Sequence, residues 1–413
     1  MQFVSFCGIL AMLAVCFACS RDRRAIKWRL VGTGLLLQAV LGLTFLYWST
    51  GNEALRYVAD RVKEFLELSQ IGSSFVFGAL AEPGEVRQVF GAEKGFVFAF
   101  MVLPTLIFFS SFMAVLYHLG VMQWIVRQMA WVMVRLLGTS GSESLSACGN
   151  VFVGQTEAPL LVKPFLKDMT MSELHAIMVG GFATIAGGVF ALYVGFGVDA
   201  GHLMVGSVMA VPAGLVCTKM LWPETEQSQT MGTISKVETS PYGNVVEAAA
   251  GGAGDGLKLA LNVGAMLIAF LGLVAVMNAA LGLVHADWSV EGALAIVFYP
   301  IAAVMGVPAS EIPILAELLG TKIAVTELVA YGKLGPMIEQ NQISERTALI
   351  ASFALCGFAN FGSVAIQVGG LGAMAPERRG DLAKIGLRAM FAGAIATCMT
   401  ACVAGVLSAP ASA

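Results

Sequence analysis

The chain alternates long apolar stretches with short polar ones, and the apolar stretches have lengths suited to helices that cross a membrane. Residues 3–19 are apolar and are followed directly by Arg21, Arg23, Arg24, Lys27 and Arg29, after which 30–49 are apolar again. A secretory signal carries its positive charge ahead of the apolar run, so this order predicts an uncleaved first span with its N-terminus outside, and a second span returning outward. Residues 52–68 set Leu55, Val58, Val62, Phe65 and Leu66 against Arg56, Asp60, Arg61, Lys63 and Glu64 at helical spacing. That pattern suits a helix lying in the interface, or else a soluble linker helix. Residues 70–94 read as an external loop with a short helix, and 95–117 as the third span, kinked at Pro104. A second interfacial helix over 121–138 follows on the basic, cytoplasmic side. Spans four and five fall at 172–198 and 201–221, span six at 257–284, a third interfacial helix at 289–306, and spans seven and eight at 345–370 and 384–408.

Two stretches break this pattern. Gly149-Asn150-Val151-Phe152-Val153-Gly154-Gln155-Thr156-Glu157-Ala158-Pro159 lies within the broken segment 141–167 and puts amides, a hydroxyl and a carboxylate in an apolar setting. Its glycines and proline predict a helix that stops, turns and restarts, with Thr156 as N-cap and Pro159 in the new first turn. It is either a re-entrant hairpin or a cytoplasmic loop with a solvated Glu157. The second stretch, 309–333, repeats the order. Ser142-Glu143 then Gly154-Gln155-Thr156-Glu157 in the first copy correspond to Ser310-Glu311 then Gly320-Thr321-Lys322 and Thr326-Glu327 in the second. Each copy is followed by Ser-Glu (Ser172-Glu173, Ser344-Glu345) and a span carrying Gly181-Phe182-Ala183-Thr184 or Gly357-Phe358-Ala359-Asn360. Paired interrupted helices in matching places point to a secondary transporter with its site at the repeat interface.

The predicted fold is therefore an all-α polytopic membrane protein with eight transmembrane helices, two re-entrant helical hairpins, interfacial helices and an inverted internal repeat. Residues 1–94 hold the first two spans, the interfacial helix and the external loop. Repeat 1 covers 95–222, a polar cytoplasmic linker whose helical end leads into span six covers 223–256, and repeat 2 covers 257–413. The loop with Arg378, Arg379, Lys384 and Arg388 falls inside, as the count of crossings requires, with both termini on the external side of the plasma (inner) membrane.

Composition agrees. The chain is 57% hydrophobic and 12% charged, about half the charge of a soluble protein. Its 47 glycines suit close helix packing in lipid. A net charge of −3 argues against a nucleic-acid partner. Eight cysteines lie in apolar segments without metal-ligand pairing and read as packing residues, and the four histidines read as structural or interfacial.

Three motifs taken together, Gly154-Gln155-Thr156-Glu157-Ala158-Pro159-Leu160, Glu327-Leu328-Val329-Ala330-Tyr331 and Gly357-Phe358-Ala359-Asn360-Phe361-Gly362-Ser363, resemble the signature motifs of the concentrative nucleoside transporter family in its short bacterial form. The resemblance implies a homotrimer in membrane lipid, with spans 3 and 6 as scaffold. The hairpins with spans 4, 5, 7 and 8 would form a transport domain that moves like an elevator. It implies a nucleoside substrate, uridine-like, and a cation gradient, with sodium as coupling ion and no other cofactor. By the same resemblance Gln155, Thr156, Glu157 and Val189 would bind the base. Glu327, Phe358, Asn360 and Ser363 would bind the ribose, and Asn150, Val153, Thr184 and Ile185 the sodium. The chain departs from the family pattern at Thr326, where Asn is usual, and at Gly362, where Ser is frequent.

The residue types suit these roles. A carboxylate holds ribose hydroxyls through charge-assisted hydrogen bonds, and a Gln offers donor and acceptor to a base edge. Asn360 and Ser363 are spaced i, i+3 and share a helix face. Each Thr-Glu opens a half-helix whose dipole tolerates the carboxylate. Asn150 and Thr184 oxygens with unwound carbonyls match the taste of sodium for oxygen. The competing readings are that Ser363 and Thr184 merely bond their own backbone, and that a glutamate carries a proton as coupling ion. A membrane-embedded transferase would need an Asp-rich metal motif in a span, and the sequence has none.

Overall fold

The computed structural model describes residues 1–90, 97–101, 103–232, 242–285 and 288–408. The chain is all-α, with one isolated bridge, Ser140 with Met231, among the described residues. In order the helices are α1 (Gln2–Ala18), α2 (Trp28–Gly42, ending in a π-turn to Tyr47), α3 (Ser49–Glu67), α4 (Ser69–Phe77), α5 (Pro83–Phe90), α6 (Phe98–Met101), α7 (Leu103–His118) and α8 (Val121–Leu137). Then come α9 (Gly141–Gly149), a 3₁₀ stretch Ala158–Asp168, α10 (Met171–Ala183), α11 (Gly187–Gly195) and α12 (Ala200–Leu221). The second half holds α13 (Val245–Gly282), α14 (Val290–Val304), α15 (Ile312–Ala324), α16 (Glu327–Glu339), α17 (Glu345–Leu355), α18 (Phe361–Met374) and α19 (Arg379–Leu407). Four helical stretches are long and apolar enough to cross a membrane in one piece, Trp28–Tyr47, Phe98–His118, Ala200–Leu221 and Pro376–Leu407. The stretches expected as spans four and seven are each two shorter helices with a break between them, α10 with α11 and α17 with α18.

Local chemistry explains where these helices begin. Ser140 and Glu143 form a reciprocal cap on α9, and Thr170 and Glu173 do the same on α10. Ser344 caps α17 through its hydroxyl, and Asn360 caps α18. The Ser-Glu pairs thus mark helix starts, and in the first repeat the capping residue stands two positions before the Ser.

Three expectations need correction. The segment expected as an external loop with a short helix over 70–94 holds more helix than that where described: α4, a 3₁₀ turn and α5. Pro83 at the first position and Glu85 in the first turn start α5; residues 91–96 lie outside the described residues. The helical end expected for the linker over 223–256 is present: Asn244 caps α13 with its side chain, and the helix runs from Val245 into the stretch expected as span six. The linker's middle, 233–241, lies outside the described residues. The second arm of the first hairpin is 3₁₀ rather than α, because Pro164 has no N–H to close a helical bond within it. Finally, Thr156 does not cap it. Its hydroxyl donates instead to the Glu157 carboxylate (2.9 Å). The expected kink residue Pro104 sits at the second position of α7.

Helices α10, α12, α17 and α19 carry much of the core and pack on one another across the two repeats. Glycines allow this. A Cβ on Gly357 would lie 2.6 Å from the Phe182 carbonyl oxygen, and one on Gly393 would lie 2.4 Å from Phe182 Cβ. The Gly-Phe-Ala segments of the two repeats therefore meet where each span breaks. By contrast α7 and α13 form a closely paired ribbon of their own. Gly252 and Gly256 on α13 lie against the α7 backbone at Ser110, Ser111, Leu106 and Ile107, and Ser111 Oγ donates to the Ala249 carbonyl (2.8 Å). Much of the outer face of α13, including Leu261, Ile268, Val276 and Leu283, is uncovered in the single chain.

Candidate functional site

The two hairpins expose their non-helical tips to the two breaks. At the first tip the chain turns through Asn150–Glu157, closed by hydrogen bonds to the Gly149 and Gly154 carbonyls. The Phe152 carbonyl accepts from the Gly187 N–H (3.2 Å), so this tip is tied to the start of α11, just past the break in the fourth span. At the second tip α15 ends at Ala324, Val325 turns, and Thr326 starts α16 with its hydroxyl accepting from the Val329 N–H (3.4 Å). Asn at that position would cap equally well, which gives the Thr326 departure a local reason.

Glu327, 5% exposed, stands at the first position of α16. Its Oε1 accepts from the Tyr193 hydroxyl (3.1 Å) and its Oε2 from Asn360 Nδ2 (3.0 Å). Asn360 Oδ1 accepts from the Ser363 N–H (2.8 Å), which fixes the amide so that its nitrogen must face Glu327. The carboxylate is thus met by a hydroxyl and an amide rather than by a cation. The Ser363 hydroxyl makes no protein hydrogen bond among the described residues, so the alternative of backbone pairing does not apply to it. Phe358 is half-buried in the break before Asn360. Glu327, Asn360 and Ser363 form one linked group, as their expected common role requires.

The residues expected at the base lie on the first tip. Gln155 is buried, and its Oε1 accepts from Gln367 Nε2 (2.9 Å), which also donates to the Met178 carbonyl (3.1 Å). Thr156 packs at Gly370 of α18, where a Cβ would come within 2.8 Å of its methyl group. Glu157 is exposed and bound to Thr156. Val189 is buried in the first turn of α11, one turn before Tyr193 and on the same face.

The residues expected at sodium gather where the tip meets the fourth-span break. Asn150 Nδ2 donates to the Ser146 carbonyl (3.0 Å), while its Oδ1 is buried without a partner. Thr184 ends α10, and its hydroxyl donates to the Gly180 carbonyl (2.8 Å), so the backbone bond anticipated as the competing reading is present. That bond uses the hydroxyl proton and leaves the oxygen lone pairs. The Val153 and Ile185 carbonyls take none of the backbone hydrogen bonds that close the tip and the break. An orphaned amide oxygen, a hydroxyl oxygen and two free carbonyls form a donor set suited to a hard monovalent cation.

Four more residues complete this region: Tyr193 and Gln367, which the sequence reading did not single out, and Tyr331 and Lys322, which stood in its motifs without a role. Tyr193 and Gln367 each lie beyond a break and reach the hairpin of the other repeat. Tyr331 stacks on Tyr193 (centroids 4.3 Å apart) and donates to the Ser352 carbonyl (2.7 Å). Lys322, 1% exposed, donates to the Ala354 carbonyl (2.9 Å) and Thr397 Oγ1 (3.0 Å), tying the second hairpin to α17 and α19. Helical spacing was a usable signal for three of them. Tyr331 follows Glu327 by four, Gln367 follows Ser363 by four, and Tyr193 follows Val189 by four.

Comparison with known proteins gives a consistent picture. Three family profiles match in succession: "Na+ dependent nucleoside transporter N-terminus" over residues 7–80, "Nucleoside recognition" over 99–200 and "Na+ dependent nucleoside transporter C-terminus" over 202–405. Sodium/nucleoside cotransporter 1 of Mus musculus is 43% identical over 99% of this chain, and the match covers 64% of that relative. The chain thus spans just under two thirds of the length of that curated relative. An uncharacterized transporter of Haemophilus influenzae is 43% identical, with 97% of both chains covered. Among solved structures, CNTnw in an inward-facing substrate-bound state superposes with a TM-score of 0.94 at 42% identity, covering 98% of this chain and 99% of that one. A CNTnw variant in an outward-facing state gives a TM-score of 0.93 at 42% identity, covering 98% of this chain and 97% of that one.

Proposed function

This chain belongs to the concentrative, sodium-dependent nucleoside transporter family, and we propose that it is a nucleoside symporter that uses a sodium gradient to move nucleosides into the cell. Its named relatives are transporters rather than enzymes. One observation carries the reading on this chain's own residues. Glu327 is a buried carboxylate held by Tyr193 and Asn360, and among the described residues no cation lies within ion-pair distance of it, the buried Lys322 acting on it only from farther off. A buried charge is costly unless strong donors meet it, and the hydroxyls of a ribose are such donors.

In this reading Glu327, Asn360 and Ser363 take the ribose, with Phe358 beside it, and Gln155, Thr156, Glu157 and Val189 take the base. Asn150, Thr184 and the Val153 and Ile185 carbonyls take the sodium. The cation then stabilises the first tip against the fourth-span break, and that tip is the part that meets the base. Cation and substrate are coupled because both draw on the same tip conformation. Alternating access follows an elevator path, in which hairpins and spans 4, 5, 7 and 8 move against a scaffold of spans 3 and 6. The paired, outward-bare ribbon of α7 and α13 supports that scaffold role and suits the centre of a trimer. The wet, polar tips packed against buried α10, α12, α17 and α19 suit a unit that moves as one body.

The test is uptake of labelled uridine into vesicles holding the purified protein. Accumulation above equilibrium under an imposed inward sodium gradient is expected. Uptake that followed a pH gradient in sodium-free buffer, with no gain on adding sodium, would assign the coupling to a proton instead.

A further inference from the structure

We propose that Gln367 is a positioning residue that fixes which way round the Gln155 amide faces, and through it which base edges the first hairpin accepts. The inference rests on the nucleoside reading above. It starts from the Met178 carbonyl, which can only accept a hydrogen bond. That carbonyl lies 3.1 Å from Gln367 Nε2, so the nitrogen end of the Gln367 amide must face it. The same nitrogen has a second hydrogen, and Gln155 Oε1 lies 2.9 Å away to receive it. Gln367 is fully buried, and its Oε1 has no partner. Turning the Gln367 amide over would set that oxygen against the Met178 carbonyl oxygen, two acceptors facing each other.

The consequence falls on Gln155. With its oxygen engaged, its amide nitrogen makes no protein hydrogen bond among the described residues and is left as a donor. Free in solution, a glutamine presents either end to a base; here it presents one. Gly181 makes the arrangement possible, because a Cβ there would lie 2.7 Å from both Gln155 Cβ and Gln367 Nε2. A fixed donor tells apart two bases that differ by exchange of a carbonyl for an amino group, such as uracil and cytosine. It favours the carbonyl.

The experiment compares uridine and cytidine uptake efficiencies under a sodium gradient in vesicles holding wild type, Gln367→Met and Gln367→Asn. Methionine keeps the volume but has no amide. Asparagine is one methylene shorter and cannot bridge both partners, so it also serves if the methionine variant does not assemble. Wild type is expected to favour uridine, and either variant to narrow the uridine-to-cytidine ratio about fivefold, the worth of one hydrogen bond. The ratio of uridine to 2′-deoxyuridine, which reads the ribose end, is expected to stay constant. In a Gln155→Leu background the Gln367 substitutions are expected to leave the uridine-to-cytidine ratio unmoved, because Gln367 acts only through Gln155. An unchanged ratio in the single variants, or an equal shift in the Gln155→Leu background, overturns the positioning role while wild-type uptake stands. Wild type that accumulates neither nucleoside overturns the transport reading and this inference with it.

Discussion

Glu327 is held from two sides, and the two partners predict different consequences of altering it. Asn360 can only donate to it, because its oxygen is taken by the Ser363 N–H, whereas the Tyr193 hydroxyl can turn to accept. Glu327→Gln therefore fits the fold, with its oxygen toward Asn360 and its nitrogen toward Tyr193, yet lacks the charge that binds ribose hydroxyls. Normal surface expression with loss of most uridine uptake is expected, corresponding to roughly 2–4 kcal/mol; near wild-type uptake would remove the ribose assignment. The sodium residues make a contrasting case. Asn150 carries an orphaned buried oxygen, while Thr184 already satisfies its proton on the Gly180 carbonyl. Asn150→Ala should raise the sodium concentration needed for half-maximal uptake more than Thr184→Ala does. Titrating uptake against sodium at fixed pH checks the order, and equal effects would count against it.

At the scale of elements, the first hairpin is anchored at its base by a buried ionic group. Lys219 of α12 reaches Glu143 of α9 (2.6 Å), Glu224 beyond α12 (3.6 Å) and Ser172 Oγ (2.9 Å). Glu173 accepts from Ser142 (3.0 Å) and from Ser228 (2.6 Å), and the Gly141 N–H donates to the Thr230 carbonyl (2.9 Å). The described start of the linker is thus fastened to the hairpin rather than hanging from α12. Lys219→Met leaves Glu143, 1% exposed, as an uncompensated buried charge. A loss of about 3–5 kcal/mol is expected. Thermal unfolding in detergent should show a lowered midpoint, largely restored when Glu143→Gln is added. No restoration would mean the pair is not what Lys219 supports. The hairpin arms themselves were visible in the sequence because their breaks are made by Gly and Pro. Their caps were only half visible, since Thr156 looks like an N-cap but spends its hydroxyl on Glu157.

For the whole molecule, orientation is the quantity the folded chain bears on most directly. Gln2 Nε2 donates to the Ser408 carbonyl (2.7 Å), so the start of α1 and the end of α19 lie together. Away from that contact, Arg21 beyond the end of α1 and Arg388 about a third of the way along α19 both stack over Trp222 (4.3 and 5.5 Å to the ring centroid), so the two basic segments lie together as well. One face then gathers the arginines and the other the two helix ends, which supports a cytoplasmic place for the basic face. Single cysteines at Gln2 and Ser408, in a chain freed of its own cysteines, should react with an impermeant reagent from outside intact cells. A cysteine at Arg24 should react only after permeabilisation. Labelling of all three from one side would refute this arrangement. Arg346 fastens the cluster at the helix ends by donating to the Gly306 carbonyl (2.7 Å), Ser5 Oγ (3.0 Å) and the Gly405 carbonyl (2.7 Å).

What the sequence determined by itself was everything written in local patterns. Apolar length located the helices, Gly and Pro located the breaks, and the duplicated Thr-Glu, Ser-Glu and Gly-Phe-Ala order revealed the repeat. Motif residues Glu327, Asn360 and Ser363 were grouped by the family resemblance of their motifs, with which their residue types agreed. The tertiary structure alone decided how the halves brace each other. Tyr193 of the first repeat holds Glu327 of the second, and Gln367 of the second holds Gln155 of the first. These partners stand 134 and 212 residues apart. Helical periodicity reports which side of a helix a residue occupies but not what lies across from it. That was set where the two span breaks meet, with Gly357 close enough to the Phe182 carbonyl to exclude any larger side chain.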